Sequence, residues 1–502
     1  MTKSRFGLTT RIAAILWGTT AVAAYAQTFS TIHLFNGADA RSPDSSLIQG
    51  TDGNFYGVSR RGGPEGSGSV FKVSASGQSV PLHQFCLTSG CPDGYSPVGA
   101  LVQASNGNFY GTTFNGGTGA HCPLFTGGCG TIFEVTSKGQ FSTIYNFCSQ
   151  VNCTDGAYPE GGLIQGVNGN LYGTTAGYTT GPPCVGVSMT GCGSIFEITP
   201  AGKFTTLHVF CSQTNCADGY GPFAGLTLAN DGNFYGVTVY GGANLQGVAF
   251  KLTPQGSLTI FYNFCSRTNC IDGSQPDNPL IQSPDGNFYG ITLAGGSPRC
   301  GGGCGTVFKL STTGQIANLY NFCPAPGCAD GFFPRGLALG SDGNLYGTTP
   351  YGGAENYGVI FETTPARQFT SSYSFCTAPN CTDGGAPLAA PFQATNGVFY
   401  GTASAGGAPP QGSGVAYSWD MGLSPFVAAQ FNFGKVGQIV TILGNNLTGT
   451  TSVTFNGVPA LFKVGSASYI KAKVPSGATT GTIQVTTPTG TLSSNVPFQV
   501  LP

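Results

Sequence analysis

A short motif that recurs seven times constrains the fold of this chain more than any other feature. The motif is Asp-Gly-Asn-Phe-Tyr-Gly or a close variant, and successive copies begin 54 to 63 residues apart. The copies begin at Asp52, Asn106, Asn168, Asp231, Asp285, Asp342 and Asn396. A period of this length is typical of propellers and solenoids, in which each repeat forms one supersecondary unit. We therefore expect seven copies of one small unit, numbered here as repeats 1 to 7.

Each repeat contains four short segments with the composition of β-strands. Segments such as residues 170–175, 306–310 and 204–210 are rich in β-branched and aromatic residues, which strands prefer. The Asp-Gly or Asn-Gly pair of the motif predicts a tight hairpin turn between the first two segments. Gly accounts for 81 of 502 residues and charged residues for only 8%, which disfavours a helical protein. The chain is therefore predicted to be all-β.

The two ends of the repeat region complement each other. A lone segment of the fourth-strand type, residues 29–35, precedes repeat 1, whereas repeat 7 stops after its third strand near Trp419. Seven sets of three strands and seven fourth strands would close on themselves and leave no sheet edge open. The sequence thus predicts a seven-bladed β-propeller over residues 27–421, with an open solenoid as the alternative.

The composition changes after Met421. Cysteine disappears, and segments of alternating Thr and Val, such as residues 438–444 and 481–487, run to the end of the chain. This alternation predicts half-buried strands. About 80 residues of such strands suit a small immunoglobulin-like β-sandwich over residues 423–502.

The first 26 residues have the pattern of a secretory signal peptide. Three basic residues precede an apolar run at 12–24, and Ala24-Tyr25-Ala26 supplies small residues for cleavage near Ala26. We therefore expect a secreted protein, extracellular or periplasmic. No later apolar run is long enough to span a bilayer, and no basic patch is visible. Membrane insertion and nucleic-acid binding are not expected.

The repeat resembles the GloVer-type tandem repeat of secreted bacterial proteins. The resemblance is carried by Leu-Ile-Gln, by Asp-Gly-Asn-Phe-Tyr-Gly-Thr-Thr and by Thr-Val-Phe-Lys-Leu, and it covers residues 29 to about 420. Residues 437–500, which include Val-Thr-Ile-Leu-Gly-Asn-Asn-Leu-Thr-Gly, are similar to IPT/TIG domains. These resemblances imply a repeat family of unknown function and a structural or adhesive immunoglobulin-like module. Neither resemblance brings a catalytic motif.

All 18 cysteines fall into local pairs. Six Cys-x4-Cys pairs follow fourth strands, and three pairs lie between second and third strands, so that both loop types are expected on one face. An even count in a secreted chain indicates disulfides, and the spacing lacks the features of a zinc site. We expect nine local disulfides and no metal or cofactor. The pairs are Cys86–Cys91, Cys122–Cys129, Cys148–Cys153, Cys184–Cys192, Cys211–Cys216, Cys265–Cys270, Cys300–Cys304, Cys323–Cys328 and Cys376–Cys381.

An Asp recurs in the loop after each fourth strand, four residues before a Pro. The seven are Asp39, Asp93, Asp155, Asp218, Asp272, Asp330 and Asp383. Seven carboxylates on one face could bind cations or sugar hydroxyls, and they are the candidate ligand-binding residues. Alternatively, each side chain satisfies backbone N–H groups of its own turn. His33, His83 and His208 stand where other repeats have Tyr, and we interpret them as aromatic core substitutes.

The sequence contains no Gly-x-Ser-x-Gly, His-Glu-x-x-His or phosphate-loop motif, and no catalytic residue is assigned. We expect a secreted, non-catalytic binding or structural protein whose loop face engages a glycan or a protein. The alternative is a polysaccharide lyase or hydrolase, which would need a dedicated acid and base. Only six carboxylates fall outside the repeat pattern and could supply them: Asp44, Asp277, Asp420, Glu65, Glu160 and Glu355.

Overall fold

The computed structural model describes residues 27–122, 127–177, 191–407 and 412–501. Within these ranges, regular structure is entirely β apart from four 3-10 turns at Val151–Cys153, Thr214–Cys216, Thr268–Cys270 and Pro379–Cys381. No helix in the described part of the chain combines the length and apolar character that crossing a membrane requires.

The repeat region contains 29 strands among the described residues. In chain order they are β1 (Thr28–Leu34), β2 (Ile48–Gln49), β3 (Phe55–Ser59), β4 (Ser69–Val73), β5 (Ser79–Gln84), β6 (Tyr95–Pro97), β7 (Val102–Gln103), β8 (Phe109–Asn115), β9 (Thr131–Val135), β10 (Phe141–Asn146), β11 (Ile164–Gln165), β12 (Leu171–Thr175), β13 (Ser194–Ile198), β14 (Phe204–Val209), β15 (Thr227–Leu228), β16 (Phe234–Thr238), β17 (Val248–Leu252), β18 (Leu258–Asn263), β19 (Ile281–Gln282), β20 (Phe288–Thr292), β21 (Thr306–Leu310), β22 (Ile316–Asn321), β23 (Gly336–Leu339), β24 (Leu345–Thr349), β25 (Val359–Thr363), β26 (Phe369–Ser374), β27 (Phe392–Gln393), β28 (Phe399–Ala403) and β29 (Val415–Asp420).

These strands form seven antiparallel sheets within the described residues, and six of them follow the chain order. The sheet of repeat 3, for example, runs β11-β12-β13-β14. In repeat 2 the additional strand β6 also pairs with β8. The seventh sheet has the order β27-β28-β29-β1, so the N-terminal strand completes the last repeat, with Phe29 opposite Trp419. The N-terminal strand and the three strands of the last repeat thus share one sheet.

The Tyr-Gly pair of the motif lies on the second strand of each sheet, where the glycine makes room for a ring. A Cβ atom at Gly173 would lie 2.6 Å from the ring of Phe196 on the neighbouring strand. Gly236 and Phe250 repeat this close contact at 2.5 Å. Because the second and third strands are buried on both faces, any larger side chain would have to displace this ring.

One hydrogen bond recurs between neighbouring sheets wherever the first strand ends in glutamine, which is the case in five of the seven repeats. The glutamine that ends the first strand accepts a hydrogen bond from a backbone N–H group of the preceding repeat, as Gln103 does from Thr51 at 3.1 Å. The same bond joins Gln49 of repeat 1 to the N–H group of Thr395 in repeat 7 at 3.0 Å. The first and seventh sheets therefore contact each other in the same way as sequence neighbours.

Ten further strands form the C-terminal module, residues 428–501. They are β30 (Ala428–Ala429), β31 (Phe433–Lys435), β32 (Ile439–Leu443), β33 (Ser452–Phe455), β34 (Val458–Pro459), β35 (Phe462–Val464), β36 (Tyr469–Lys473), β37 (Ile483–Thr487), β38 (Gly490–Ser493) and β39 (Gln499–Leu501). Two four-stranded sheets, β30-β32-β36-β35 and β34-β33-β37-β38, are accompanied by the parallel pair β31-β39. Ile442, Ile470 and Ile483 are fully buried in one core cluster of this module.

The C-terminal module packs against the hairpin turns of the repeats. The Ser468 hydroxyl donates a hydrogen bond to the carbonyl oxygen of Thr51 at 2.6 Å, and the Gln430 side-chain amide donates one to the carbonyl oxygen of Gln103 at 2.7 Å. The Asn445 amide reaches the Thr395 hydroxyl at 3.0 Å. These contacts place the module on the face opposite the cysteine-bearing loops.

Two truncations test how the repeat region is completed. A chain without residues 27–35 loses β1, whose Phe29 stacks on Tyr373 with ring centroids 3.9 Å apart, and it loses the fully buried Phe35. Each such side chain contributes roughly 1.5–3 kcal/mol, and the exposed edge of β29 favours aggregation. This chain should be insoluble or melt much lower than the intact protein.

A chain that ends at Gly422 should keep all seven sheets and remain soluble, with only a modest loss of melting temperature. Thermal melts and solubility of both truncated proteins provide the measurement. Equal tolerance of the two deletions would contradict the completion of repeat 7 by β1.

Candidate functional site

Disulfides fix the loops on the face opposite the C-terminal module. Eight of the nine expected bridges are present, each joining the pair assigned from the sequence. The ninth, Cys184–Cys192, involves Cys184, which lies outside the described residues. The two loop types contact each other, since the N–H group of Gly117 donates a hydrogen bond to the carbonyl oxygen of Cys91 at 2.8 Å. The expectation that both lie on one face is thereby confirmed.

The seven loop aspartates point back into their own repeats. In each case the carboxylate is within hydrogen-bonding distance of a polar atom on an aromatic ring of the preceding fourth strand. The pairs are His33–Asp39, His83–Asp93, Tyr145–Asp155, His208–Asp218, Tyr262–Asp272, Tyr320–Asp330 and Tyr373–Asp383. The distances are 2.6 to 3.2 Å.

Asp272 shows that both oxygens of such a carboxylate accept hydrogen bonds from the protein itself. One oxygen accepts hydrogen bonds from the Tyr262 hydroxyl at 2.6 Å and from the N–H group of Ser266 at 2.8 Å, and the other accepts one from the N–H group of Arg267 at 3.1 Å. Burial by itself would raise the pKa of Asp272, but these bonds lower it below the ordinary value. A ligand-binding role for the seven aspartates stays a prediction, and the geometry favours the alternative in which they hold their own loops.

The histidines pack on aromatic rings, as expected for substitutes of Tyr, and they also make a contact that the sequence interpretation missed. His33, His83 and His208 are half-buried, and the Nε2 atom of each ring contacts a loop carboxylate. The position therefore requires a ring that carries a hydrogen-bond donor, which explains why Tyr and His both occur there and Phe does not. The constant spacing of ten residues between ring and Asp in repeats 1 to 6 is the sequence signal that could have revealed the pair.

Replacing Tyr262 with Phe tests this interaction. The variant keeps the ring but leaves the fully buried Asp272 without one of its donors, which should lower the free energy of unfolding by about 1–3 kcal/mol. Tyr262→His, which introduces the ring found in three other repeats, should be closer to the wild type. Chemical denaturation of the three proteins gives the comparison, and a Phe variant as stable as the wild type would contradict the assigned role.

A cavity of about 730 Å³ lies where the first strands of the repeats begin. Every repeat contributes to its lining, and the position that all seven repeats contribute is the residue directly after the Pro of the aspartate loop. The seven are Asp44, Val98, Glu160, Phe223, Asp277, Arg335 and Leu388. Equivalent positions thus carry seven side chains of mixed chemistry. The seven repeats therefore differ from one another at the wall of this cavity.

Small residues bring neighbouring repeats close together beside these seven side chains. A Cβ atom at Gly161 would lie 2.7 Å from the backbone nitrogen of Gly225, and one at Gly99 would lie 2.8 Å from the carbonyl oxygen of Gly161. A larger residue at either position would collide with backbone that cannot move aside. The first strands can therefore approach one another only with glycine here.

Three of the six carboxylates outside the repeat pattern meet at this cavity, namely Asp44, Glu160 and Asp277. Asp277 forms an ion pair with Arg335 at 2.5 Å, yet burial raises its pKa to about 6. Burial also raises the pKa of Asp44 to about 6 against the opposing charge of Arg60. Burial is also the largest cause of the raised pKa of Glu160, and the negative charge of Asp277 raises this pKa further.

The remaining three carboxylates, Asp420, Glu65 and Glu355, are exposed elsewhere. Sequence reasoning missed Arg60 and Arg335 at the cavity. An alignment of the seven repeats on the aspartate loop would have shown that the residue after the Pro varies and is often charged. It would also have shown that the residues that follow it have mostly small side chains.

Among the described residues, the one grouping with the spacing of a metal site is Cys300, Cys323 and Cys328, whose sulfur atoms lie within 4.8 Å of one another. All three sulfurs take part in disulfides. They are therefore not available as thiolate ligands in the oxidised protein.

The pKa of Asp44 predicts how pH affects stability. The pKa of this carboxyl is near 4 in the unfolded chain and about 6 in the folded protein. Its contribution to the stability of the fold is therefore fully present below about pH 4 and is lost as the pH rises through about 6. Asp44→Asn removes the buried charge and should raise the free energy of unfolding at neutral pH by about 1–3 kcal/mol. At about pH 4 the variant should show little gain.

Thermal melts at both pH values measure this effect, with Asp420→Asn as the control because Asp420 is exposed. An Asp44→Asn variant that is less stable than the wild type at neutral pH would contradict the prediction.

The chain matches a family model and a number of solved structures. No curated protein matches the sequence. The extracellular domain of a protein described as a hybrid two-component system from B. thetaiotaomicron is similar at 12% identity and a TM-score of 0.49, over 84% of this chain and 46% of that one. This chain thus spans less than half of that structure.

The PQQ-bound aldose sugar dehydrogenase of Streptomyces coelicolor is similar at 15% identity and a TM-score of 0.36, over 78% of this chain and 98% of that one. The model of the Gloeobacter/Verrucomicrobia repeat matches residues 3–182, 126–301, 184–417 and 266–466, which confirms the resemblance noted for the repeats. With overlapping matches over most of its length, the chain belongs to the Gloeobacter/Verrucomicrobia repeat family.

Proposed function

We propose that the protein is an exported, non-catalytic binding protein whose loop face takes a glycan or protein ligand. Residues 27–421 would form a seven-bladed β-propeller, and residues 423–502 an IPT/TIG-like sandwich that serves as a spacer or docking module. The signal peptide would be residues 1–26. The observation that carries the proposal is the cavity, at whose wall equivalent positions of the seven repeats carry charged, aromatic and aliphatic side chains.

Closure of the propeller is supported by contacts that repeat across the junction of repeats 7 and 1. The Thr174 hydroxyl donates a hydrogen bond to the carbonyl oxygen of Ala224 in the next repeat at 3.0 Å. The Thr402 hydroxyl of repeat 7 makes the equivalent bond to Ser45 of repeat 1 at 3.2 Å. A closed ring places the cavity on its axis, where propellers commonly have a channel.

The chemistry of the cavity suits recognition of a polar ligand. Carboxylates and guanidinium groups bind hydroxyl and charged groups in defined directions, and the rings of Phe223 and Tyr240 offer apolar faces beside them. A cavity of about 730 Å³ falls within the range of small-molecule sites. The end of a polymer or a small glycan would fit such a space.

The surroundings of the cavity favour binding from the loop face. The C-terminal module contacts hairpin turns of repeats 1, 2 and 7 on the other side. The loops around the open side are fixed by disulfides and by the aspartate hydrogen bonds. A rigid rim lowers the entropic cost of binding.

A glycan array and a pull-down with the mature protein test this function, with Arg60→Gln as the site variant. Arg60 lines the cavity and is exposed there, so its loss should weaken binding by about tenfold or more without unfolding the protein. Arg41→Gln is the matched control, because Arg41 is exposed outside the cavity-lining set. Ligands that bind both variants and the wild type equally would contradict the assignment of the site.

A carbohydrate-active enzyme is the second candidate, and one observation favours it. Asp44, Glu160 and Asp277 converge on one cavity with raised pKa values, and a general acid needs a pKa near the working pH. Incubation with cell-wall and plant polysaccharides, followed by assay of new reducing ends or unsaturated products, distinguishes the two. Turnover that Glu160→Gln or Asp277→Asn abolishes would replace the binding proposal with the enzymatic one.

A further inference from the structure

Two side chains of opposite charge face the cavity without partners of their own. Neither the Glu160 carboxylate nor the Arg60 guanidinium forms a hydrogen bond or an ion pair with any described residue, although both line the cavity. Among the opposite charges that act on the Glu160 carboxylate, Arg60 has the larger effect and Arg335 the smaller one. Both groups can therefore bind a ligand without breaking an existing contact.

The charged residues that line the cavity are not fully paired with one another. Asp277 and Arg335 neutralise each other in their ion pair. Asp44 and Glu160 remain with Arg60 as the lining residue of opposite charge, and Arg61, outside the lining set, adds a positive charge near Asp44. One oxygen of Asp44 is buried with no hydrogen-bond partner among the described residues. Glu160 therefore faces the cavity without a positive group bound to it.

We infer that the cavity selects ligands that carry a protonated amino group, bound by Glu160 with the support of the Asp44 charge, while Arg60 binds a hydroxyl or carboxylate of the same ligand. The inference rests on the proposed binding function and specifies its ligand chemistry. An amino sugar with a free amine and an amino acid or peptide terminus both have this chemistry. A neutral sugar lacks the cation.

The physical reason is the cost of covering an unpaired charge. A ligand that fills the cavity removes water from Glu160, and a desolvated carboxylate without a positive partner is strongly unfavourable. An ammonium group replaces the lost hydration with a charge-assisted hydrogen bond, which is about twice as strong as a neutral one. Neutral hydroxyls would leave most of the penalty in place.

Binding of a cation should also depend on pH in a defined direction. The titratable groups at the cavity wall are Asp44, Glu160 and Asp277, and the fixed charges that face them are Arg60, Arg61 and Arg335. Burial raises the pKa of all three acids, to about 6 for Asp44 and Asp277. A bound ammonium group favours their ionised forms, so affinity should fall as pH drops through 6, and binding near pH 6 should release protons.

Matched pairs of small ligands provide the test with the full mature protein. The glucosamine disaccharide with free amines is compared with its N-acetylated form, and a dipeptide amide with its N-acetylated form, by titration calorimetry. At least one free-amine ligand should bind about tenfold or more tightly than its acetylated partner at neutral pH, and this preference should shrink at about pH 5. Which pair shows the effect identifies the source of the amine.

Two variants separate the inferred contact from a general loss of structure. Glu160→Gln preserves the shape of the side chain and should abolish the preference for the free amine. Glu355→Gln should keep it, because Glu355 is exposed outside the cavity-lining set. Thermal melts establish that both variants are folded.

The inference is overturned if the acetylated ligands bind as well as the free amines, if Glu160→Gln retains the preference, or if no free-amine ligand binds at millimolar concentration. A neutral glycan that binds in an Arg60-dependent way would preserve the proposed function while refuting its specificity for amines.

Discussion

Tyr56 of repeat 1 stacks on Phe109 of repeat 2 with ring centroids 3.9 Å apart, and Tyr400 of repeat 7 stacks on Phe55 of repeat 1 at 4.0 Å. This contact between successive repeats is the interaction on which the repeat region depends. A four-stranded sheet cannot bury both of its faces alone, so each repeat needs a neighbour on either side. The recurrence of the contact between repeats 7 and 1 gives these two repeats the same packing partner that sequence neighbours have.

The same packing explains why the cavity is the place where repeats differ. Residues between sheets must keep their size, because each contacts a neighbouring repeat: Tyr172 of repeat 3, which packs on Phe234 of repeat 4 with ring centroids 4.2 Å apart, is one example. The side chain after the loop Pro lines the cavity and does not have to fit between two sheets. Asp, Glu, Arg, Phe, Val and Leu all occur there, and charge accumulates at the site with the fewest packing demands.

The loops around the cavity are held by two devices of different strength. Each disulfide closes a loop of only a few residues, which contributes about 2 kcal/mol in the chain-entropy model. The carboxylate of a loop Asp adds hydrogen bonds to backbone N–H groups and to a Tyr or His ring, as Asp272 does with Ser266 and Tyr262. Together they fix the direction in which the chain enters the first strand. They thereby position the cavity side chain five residues after the Asp.

The sequence by itself determined the all-β character, the number of motif copies, the strand order within a repeat and the local disulfides, because each depends on residues close together in the chain. The role of the loop aspartates was only half determined, since their partner lies six or ten residues earlier, on the fourth strand. The cavity could not be predicted from any one repeat. Asp44, Glu160 and Asp277 are separated by more than a hundred residues at each step, and only the packing of seven repeats brings them to one wall. Their raised pKa values likewise arise from burial, which is a property of the tertiary structure and not of the residue type.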